Sequence, residues 1–311
     1  MSASPDRLQF GVNLYPQQWR DAARIEELGY DSVWTSEHIF FHFPTFDALT
    51  TLAAAAALTS RIRLGTAVLL LPLRPAALAA KEITSVDVIS GGRLTLGIGV
   101  GGEYPKEFQA VGVPVKERGP RTDEAIQLLR KLWTEENVSF DGRFTVLDGV
   151  TLQPKPAQPG GPPLWIAGRS QAAIRRAGRL GDGYLPYLFS PERFRDSLAQ
   201  VRQVAEEAGR DPAAIEGALY QFICLADSYE EAKRIAAADL SRRYNQPFEK
   251  IVDRYVVMGT ADDCARRLAD FADAGVRHFL LVPITPAFAA DFMPHVERYA
   301  SEILPGLRSQ T

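Results

Sequence analysis

The 311-residue chain is poor in cysteine, histidine and methionine, with two, four and three of each. Its two cysteines, Cys224 and Cys264, stand far apart with no CxxC and no nearby histidine pair, which argues against a disulfide framework or a thiolate zinc site. Both are expected to be small buried apolar side chains. Neither sign of charge dominates: 35 Lys and Arg stand against 38 Asp and Glu, a net charge of −3 spread along the chain without a basic block. Nothing here attracts a phosphate backbone over a broad surface, so nucleic acid is not an expected partner. Long apolar runs are missing too. The stretch Ala53 to Leu58 is bounded by Thr51 and Arg61 and falls well short of a membrane span, and the first residues lack the basic-then-apolar order of a secretion signal. The expectation is a soluble, cytoplasmic protein with no membrane contact. No GxSxG elbow and no assignable Ser/His/Asp set is present, so hydrolase chemistry has no support.

What is present, 46% hydrophobic and 23% charged residues, is enough to bury a large core. The length suits either two average domains or one α/β barrel, which uses about 250 residues. Short runs rich in β-branched or aromatic residues alternate with helical periods from one end to the other. The strand candidates are Leu8 to Leu14, Ser32 to Ser36, Ile62 to Leu70, Arg93 to Val100, Leu164 to Ala167, Gly183 to Pro186, Ala218 to Leu225 and His278 to Val282. Between them lie helical stretches such as Arg121 to Trp133, with Ile126, Leu129 and Trp133 on one stripe, and Ala261 to Ala274, with Ala265, Leu268 and Ala272 on another. Nearly continuous apolar strands such as Ala67 to Leu71 suit a parallel sheet covered by helices. Eight βα units predict a (β/α)8 TIM-like barrel. A doubly wound open sheet with a second domain is the competing architecture, but no linker with a composition shift divides the chain. The segment Glu136 to Gly161, with Phe140-Asp141-Gly142-Arg143-Phe144 followed by Pro154, Pro156 and Pro159, reads as a hairpin and an extended connection inserted between units four and five of one barrel domain covering 1–311. On the carboxyl face of the strands it would form a wall or lid.

In a barrel, the residues ending the strands face the catalytic mouth. The second strand ends in Trp34-Thr35-Ser36-Glu37-His38, followed by Ile39-Phe40-Phe41-His42. An imidazole in such an aromatic lining suits proton donation or acceptance near neutral pH, and equally a hydrogen-bonded structural role. His42 lies four residues on, but the aromatic and proline neighbours argue against a helix that would pair the two around a metal, so no metal is expected. His278 and His295 are expected to be structural. The fourth strand ends in Gly97-Ile98-Gly99-Val100-Gly101-Gly102-Glu103, formally GxGxxG but too late in the chain, and too poorly followed by helix, for a Rossmann fingerprint. Its glycines would let a flat ligand approach the backbone, or serve a tight turn. The fifth strand leads into Gly168-Arg169-Ser170 and a helix, which suits an anion such as phosphate, or a plain serine cap.

Further runs are Glu26 to His38, Arg61 to Val68, Ser90-Gly91-Gly92-Arg93-Leu94 to Gly101, Arg118 to Glu124, Gly181-Asp182-Gly183, Val257-Met258-Gly259-Thr260 and Asp273-Ala274-Gly275-Val276. In their order and spacing, from Phe10 to Arg308, they resemble the luciferase-like monooxygenase family of flavin- and deazaflavin-dependent oxidoreductases. The resemblance implies a TIM-like barrel that holds coenzyme F420 or FMN in its mouth, ring inward and phosphate outward. His38 looks like the family's catalytic or substrate-orienting histidine. Thr66, Ala67 and Val68 look like its bulge on strand three, with a non-prolyl cis peptide between Ala67 and Val68 behind the ring. Gly99, Gly101 and Gly102 would line the ring's edge, and Gly168, Arg169 and Ser170 would receive the phosphate. Where many members carry a bulky aromatic after Gly101, this chain has Gly102-Glu103-Tyr104-Pro105, so the group beside the ring is open and Glu103 is a candidate acid. Trp34, Phe40 and Tyr187 are the expected substrate pocket. The implied activity is hydride transfer between F420 and a small organic substrate. The alternatives are an FMNH2-dependent monooxygenase using molecular oxygen and a ligand-binding barrel without turnover. Members often dimerise through helices on one side, and Leu49 to Leu58 would suit a homodimer interface or, equally, core packing against the strands.

Overall fold

The computed structural model describes residues 7–286 and 290–308. Its strands are β1 (Gln9–Leu14), β2 (Ser32–Thr35), β3 (Arg63–Leu70), β4 (Leu94–Gly99), β5 (Val138–Asp141), β6 (Val146–Val150), β7 (Leu164–Ala167), β8 (Gly183–Leu185), β9 (Glu216–Leu225), β10 (Val257–Gly259) and β11 (His278–Pro283). The α-helices are α1 (Ala22–Glu27), α2 (Ala48–Leu58), α3 (Ala76–Ser90), α4 (Pro105–Ala110), α5 (Arg118–Thr134), α6 (Gln171–Leu180), α7 (Pro191–Glu207), α8 (Tyr229–Tyr244), α9 (Val252–Tyr255), α10 (Ala261–Asp273), α11 (Phe292–Arg298) and α12 (Leu304–Arg308). Eight strands pair in parallel in the order β9-β11-β1-β2-β3-β4-β7-β8, and β8 pairs back onto β9. That last pairing closes the barrel and excludes the open sheet. Each of the eight coincides with a strand expected from the sequence. β10, three residues long, was not expected as a strand; it adds to β9 outside the ring.

Parallel strands need both faces covered, and the two sets of side chains are visible here. Outward-facing Phe10, Leu64, Leu96 and Ile166 pack with helix residues such as Ile83 of α3 and Leu129 of α5. Inward-facing Trp34, Trp165, Ala218 and Leu280 fill the barrel axis. Gly65 makes this possible: a Cβ there would lie 2.1 Å from the Trp34 ring. Helix ends are set by local chemistry. α3 stops at Gly91, whose left-handed conformation suits glycine, and α10 starts with a reciprocal capping box between Thr260 and Asp263.

The insertion contains the expected hairpin, β5 antiparallel to β6, but not at the expected place. It follows α5 rather than a barrel strand, so it leaves from the amino-terminal end of the barrel. The hairpin then lies along the outside of α5, where the Phe144 amide donates to the Glu124 carboxylate at 3.0 Å and the Arg121 guanidinium covers the Phe144 ring. Its tail is fixed near the start of β4 by the Gln158 side-chain amide on the Leu94 carbonyl, 2.7 Å. None of residues 136–161 lines the main cavity, so the segment is neither wall nor lid. Among the described residues no helix is long and apolar enough to cross a membrane.

Candidate active site

A cavity of about 580 Å³ opens at the carboxyl ends of the barrel strands. Its walls come from the loops after β1, β2, β3, β4, β7, β8 and β9, and one continuous space joins His38 to the turn at Gly168, Arg169 and Ser170.

The segment after β2 is built from alternating tasks. Ser36 Oγ donates to the Ala67 carbonyl at 2.7 Å. Glu37 is buried and accepts from the Leu70 amide at 2.9 Å, the Ala48 amide at 3.3 Å and Arg74 at 2.9 Å, which ties β3 and α2 to this loop. His38 stacks on Phe41, ring centroids 3.9 Å apart and 10° from parallel. Its Nδ1 lies 3.1 and 3.2 Å from the two oxygens of Glu107. Glu107, in the first turn of α4 with a side chain 1% exposed, also accepts from the backbone amides of Ile39 at 2.7 Å and Phe40 at 3.3 Å. An ionised carboxylate only accepts, so this contact puts the proton on Nδ1 and leaves Nε2 as the ring nitrogen offered to the cavity. Glu107 was not singled out in the sequence: a glutamate two residues after Pro105 reads as an ordinary acidic first turn.

On β3 the pairing with β4 shifts register between Ala67 and Leu69, and the Ala67–Val68 peptide is cis, as the resemblance implied. Ala67 and Val68 line the cavity; Thr66 does not, being buried with its hydroxyl donating to the Gly97 carbonyl at 2.8 Å. After β4, Gly99, Val100 and Gly101 line the cavity, while Gly102 lies behind them against Arg118. Glu103 sits at the rim, four residues before the carboxylate that meets the imidazole, and accepts from the Tyr187 hydroxyl at 2.9 Å. Burial first, then the nearby Glu103 charge, pushes the Tyr187 phenol up to about 12, so it remains a donor at neutral pH.

At the end of β7, Gly168 has φ +126°, and a Cβ there would lie 2.9 Å from that of Ala173. Arg169 stacks its guanidinium over Tyr187, 4.6 Å to the ring centre. Ser170 caps α6, its hydroxyl accepting from the Ala173 amide at 3.2 Å. Open amides and the positive end of a ten-residue helix therefore meet an arginine at the cavity wall, a donor set that fits a phosphate.

Two expected pocket residues are elsewhere. Trp34 is 1% exposed, stacks on Trp165 inside the barrel and donates to Ser32 Oγ at 2.7 Å, so it lies below the cavity and not in its wall. Phe40 is 49% exposed and turns to solvent, while Phe41 and Phe43 take the wall. His278 is buried beside Trp34 and Trp165 with Nε2 2.7 Å from Ser32 Oγ.

The family model described as luciferase-like monooxygenase matches residues 14–278. An uncharacterized protein of Mycobacterium tuberculosis is 36% identical over 167 residues, 54% of this chain and 57% of that protein, so the chain matches little more than half its length. An F420-dependent glucose-6-phosphate dehydrogenase of Kineococcus radiotolerans is 29% identical across 92% of this chain and 91% of that one. Among solved structures, the monooxygenase RslO1 from Streptomyces bottropensis superposes with a TM-score of 0.80 at 28% identity, covering 96% of this chain and 99% of its own.

Proposed function

The chain belongs to the luciferase-like monooxygenase family, and from that premise we propose that it is an oxidoreductase transferring hydride between coenzyme F420 and a small organic substrate. The observation that carries this is the single cavity running from the His38–Glu107 pair, past the cis Ala67–Val68 peptide, to the cationic turn before α6. The end-to-end likeness to an F420-dependent dehydrogenase supports F420 over FMN.

The residues present fit the cofactor. Gly168, Arg169 and Ser170 would hold its phosphate, while Ala67, Val68, Gly99 and Gly101 would face its ring. When bound, it supplies the hydride-carrying ring. Everything else falls to the chain's own groups. Glu107 holds the imidazole in one tautomer, and Nε2 accepts a proton from an alcohol or, as imidazolium, returns it to a carbonyl oxygen. Tyr187 and Glu103 together close the rim beside Arg169, and we assign Glu103 to that rim and not to proton transfer at the ring. Phe41, Phe43 and Phe222 give an apolar lining that limits water.

The second reading, an FMNH2-dependent monooxygenase, draws on the likeness to RslO1, which is named a monooxygenase. Adding F420 and FMN separately to the purified protein, and following affinity, spectrum and oxygen uptake, distinguishes the readings. Tight F420 binding without oxygen uptake supports the first, FMN binding with oxygen uptake the second, and micromolar binding of neither removes both. We place the protein in the cytoplasm as a homodimer. Leu49, Leu52, Ala55 and Ala56 of α2 serve core packing, the other use open to that stretch, so we propose the interface on α3 instead. Leu78 and Ile89, eleven residues apart and thus on one face of α3, are 51% and 57% exposed and suit a partner copy. Light scattering after size exclusion checks the mass.

A further inference from the structure

Barrel closure divides the cavity wall into two arcs. β3, β4 and β7 are neighbours in the ring and carry the cis peptide, the glycine loop and the turn before α6, the groups proposed to face the cofactor. β9, β11, β1 and β2 form the facing arc, and from β9 and the loops after β1 and β2 come Leu14, Pro16, Phe41, Phe43, Tyr220 and Phe222. Its rings pack edge to face, Phe41 with Phe43 at 5.0 Å between centroids and Tyr220 with Phe222 at 5.6 Å. Such a wall offers ring faces and edges to a ligand rather than hydrogen bonds. The phenol groups on it are occupied, that of Tyr15 donating to the Pro283 carbonyl at 2.7 Å and that of Tyr220 engaged by Ser36. His38, after β2, stands where the two arcs meet.

The charges around the cavity are already matched. Arg243, the cation on the facing arc, has a side chain 9% exposed and pairs with Asp239, whose side chain is 6% exposed; its Nη2 also donates to the Tyr15 hydroxyl at 2.6 Å. Glu37 is taken by Arg74 and two backbone amides, Glu103 by Tyr187, and Arg118 Nη1 by the Val115 carbonyl at 2.9 Å. Arg169 is left to the cofactor's phosphate. A carboxylate or phosphate on the substrate would give up its water against aromatic rings and compete with Asp239 for Arg243, and a body rich in hydroxyls would lose its hydrogen bonds there too. We infer that the substrate is an uncharged alcohol, or the ketone it becomes, with an apolar, ring-bearing body on the aromatic arc and its oxygen at His38 Nε2. Oxidation breaks the carbinol C–H bond, sends the hydride to oxidised F420 and the hydroxyl proton to Nε2, and leaves C=O. The inference rests on the reading above, which puts the cofactor on the β3-β4-β7 arc.

The test loads the enzyme with oxidised F420, which cannot reduce a ketone, and titrates it by calorimetry with acetophenone, 4-acetylbenzamide, 4-acetylbenzoate and glucose. The amide and the carboxylate are close in shape and differ in charge. Acetophenone is expected to bind at least as tightly as the amide, and the amide about tenfold or more tightly than the carboxylate. Glucose, uncharged but hydroxylated, should bind about tenfold or more weakly than acetophenone. Phe43→Ala should weaken acetophenone about tenfold with F420 affinity unchanged, because part of the ring contact is lost. Should that variant disturb its loop, seen as weakened F420 binding, Phe222→Leu on β9 gives the same reading. Carboxylate bound as tightly as amide, glucose bound as tightly as acetophenone, no acetophenone binding at millimolar concentration, or an acetophenone affinity that neither variant changes overturns the inference. F420 is titrated first. If it does not bind, the function proposed above fails; if it binds and the expected order does not appear, this inference alone fails.

Discussion

At the amino-terminal end of the barrel, charged side chains are tied to the backbone. Glu26 accepts from the amides of Ser60, Arg61 and Ile62, and Arg93 donates to the carbonyls of Ala56, Thr59, Ile62 and Ser90. Asp182 takes the Leu164 amide at 2.8 Å together with Arg130. At the carboxyl end, His38, Arg169 and Arg243 have partners but also border open space. The same residue types close turns at one end and leave reactive or cationic faces at the other. In a closed barrel the strands carry the structure, so one end can be devoted to stability and the other to chemistry.

The division predicts that substitutions at the two ends fail in different assays. The largest effect is expected at His38: replacement by Ala should lower turnover by about 10²- to 10⁴-fold, with cofactor affinity and Tm little changed. Steady-state kinetics beside a thermal melt checks this, and unchanged turnover would make the histidine structural. Arg93→Ala should do the opposite, leaving kcat intact while removing about 3 kcal/mol of stability in urea unfolding, because several carbonyls lose their donor. Gly168→Ala lies between them. The left-handed backbone and the nearby Ala173 Cβ make the turn shift, so F420 affinity should weaken about tenfold with a small loss of stability.

The smallest effect sharpens the comparison through pH. Burial alone would raise the Glu26 carboxyl, but the Ile62, Arg61 and Ser60 donors outweigh it and hold it below its ordinary value. A carboxylate lowered in the folded state stabilises above its unfolded value, and that contribution disappears as pH falls through the folded value. Glu26→Gln should therefore lower Tm at pH 7, and the gap to the native protein should close in acid below about pH 4. A constant gap across pH would mean that the charge is irrelevant to the turn.

The eight barrel strands were legible because fully covered strands are apolar along their length and each is followed by a chain segment of helical period. β10 escaped because three residues carry no period. The hairpin in the insertion was legible from its Asp-Gly turn, but a turn motif does not say at which end of a barrel it emerges. Trp34 was misplaced in depth rather than direction: it points inward but stands one layer below the cavity, where Gly65 leaves room. Phe40 was misplaced because strand alternation ends at Thr35. The pairing of Glu107 with His38 spans 69 positions and joins a loop to a helix, a relation that no local pattern encodes.

The three acceptances by Glu107 have a practical consequence for altering this enzyme. The imidazole and the amides of Ile39 and Phe40 all lean on a carboxylate delivered from α4, so the loop after β2 and the stretch from Gly101 to Ala110 form one exchangeable cassette. Grafting either loop from a relative without the other would leave a negative charge enclosed with no donors, or a ring with no fixed orientation. Chimeras that swap the two together should retain a working imidazole while changing the aromatic wall.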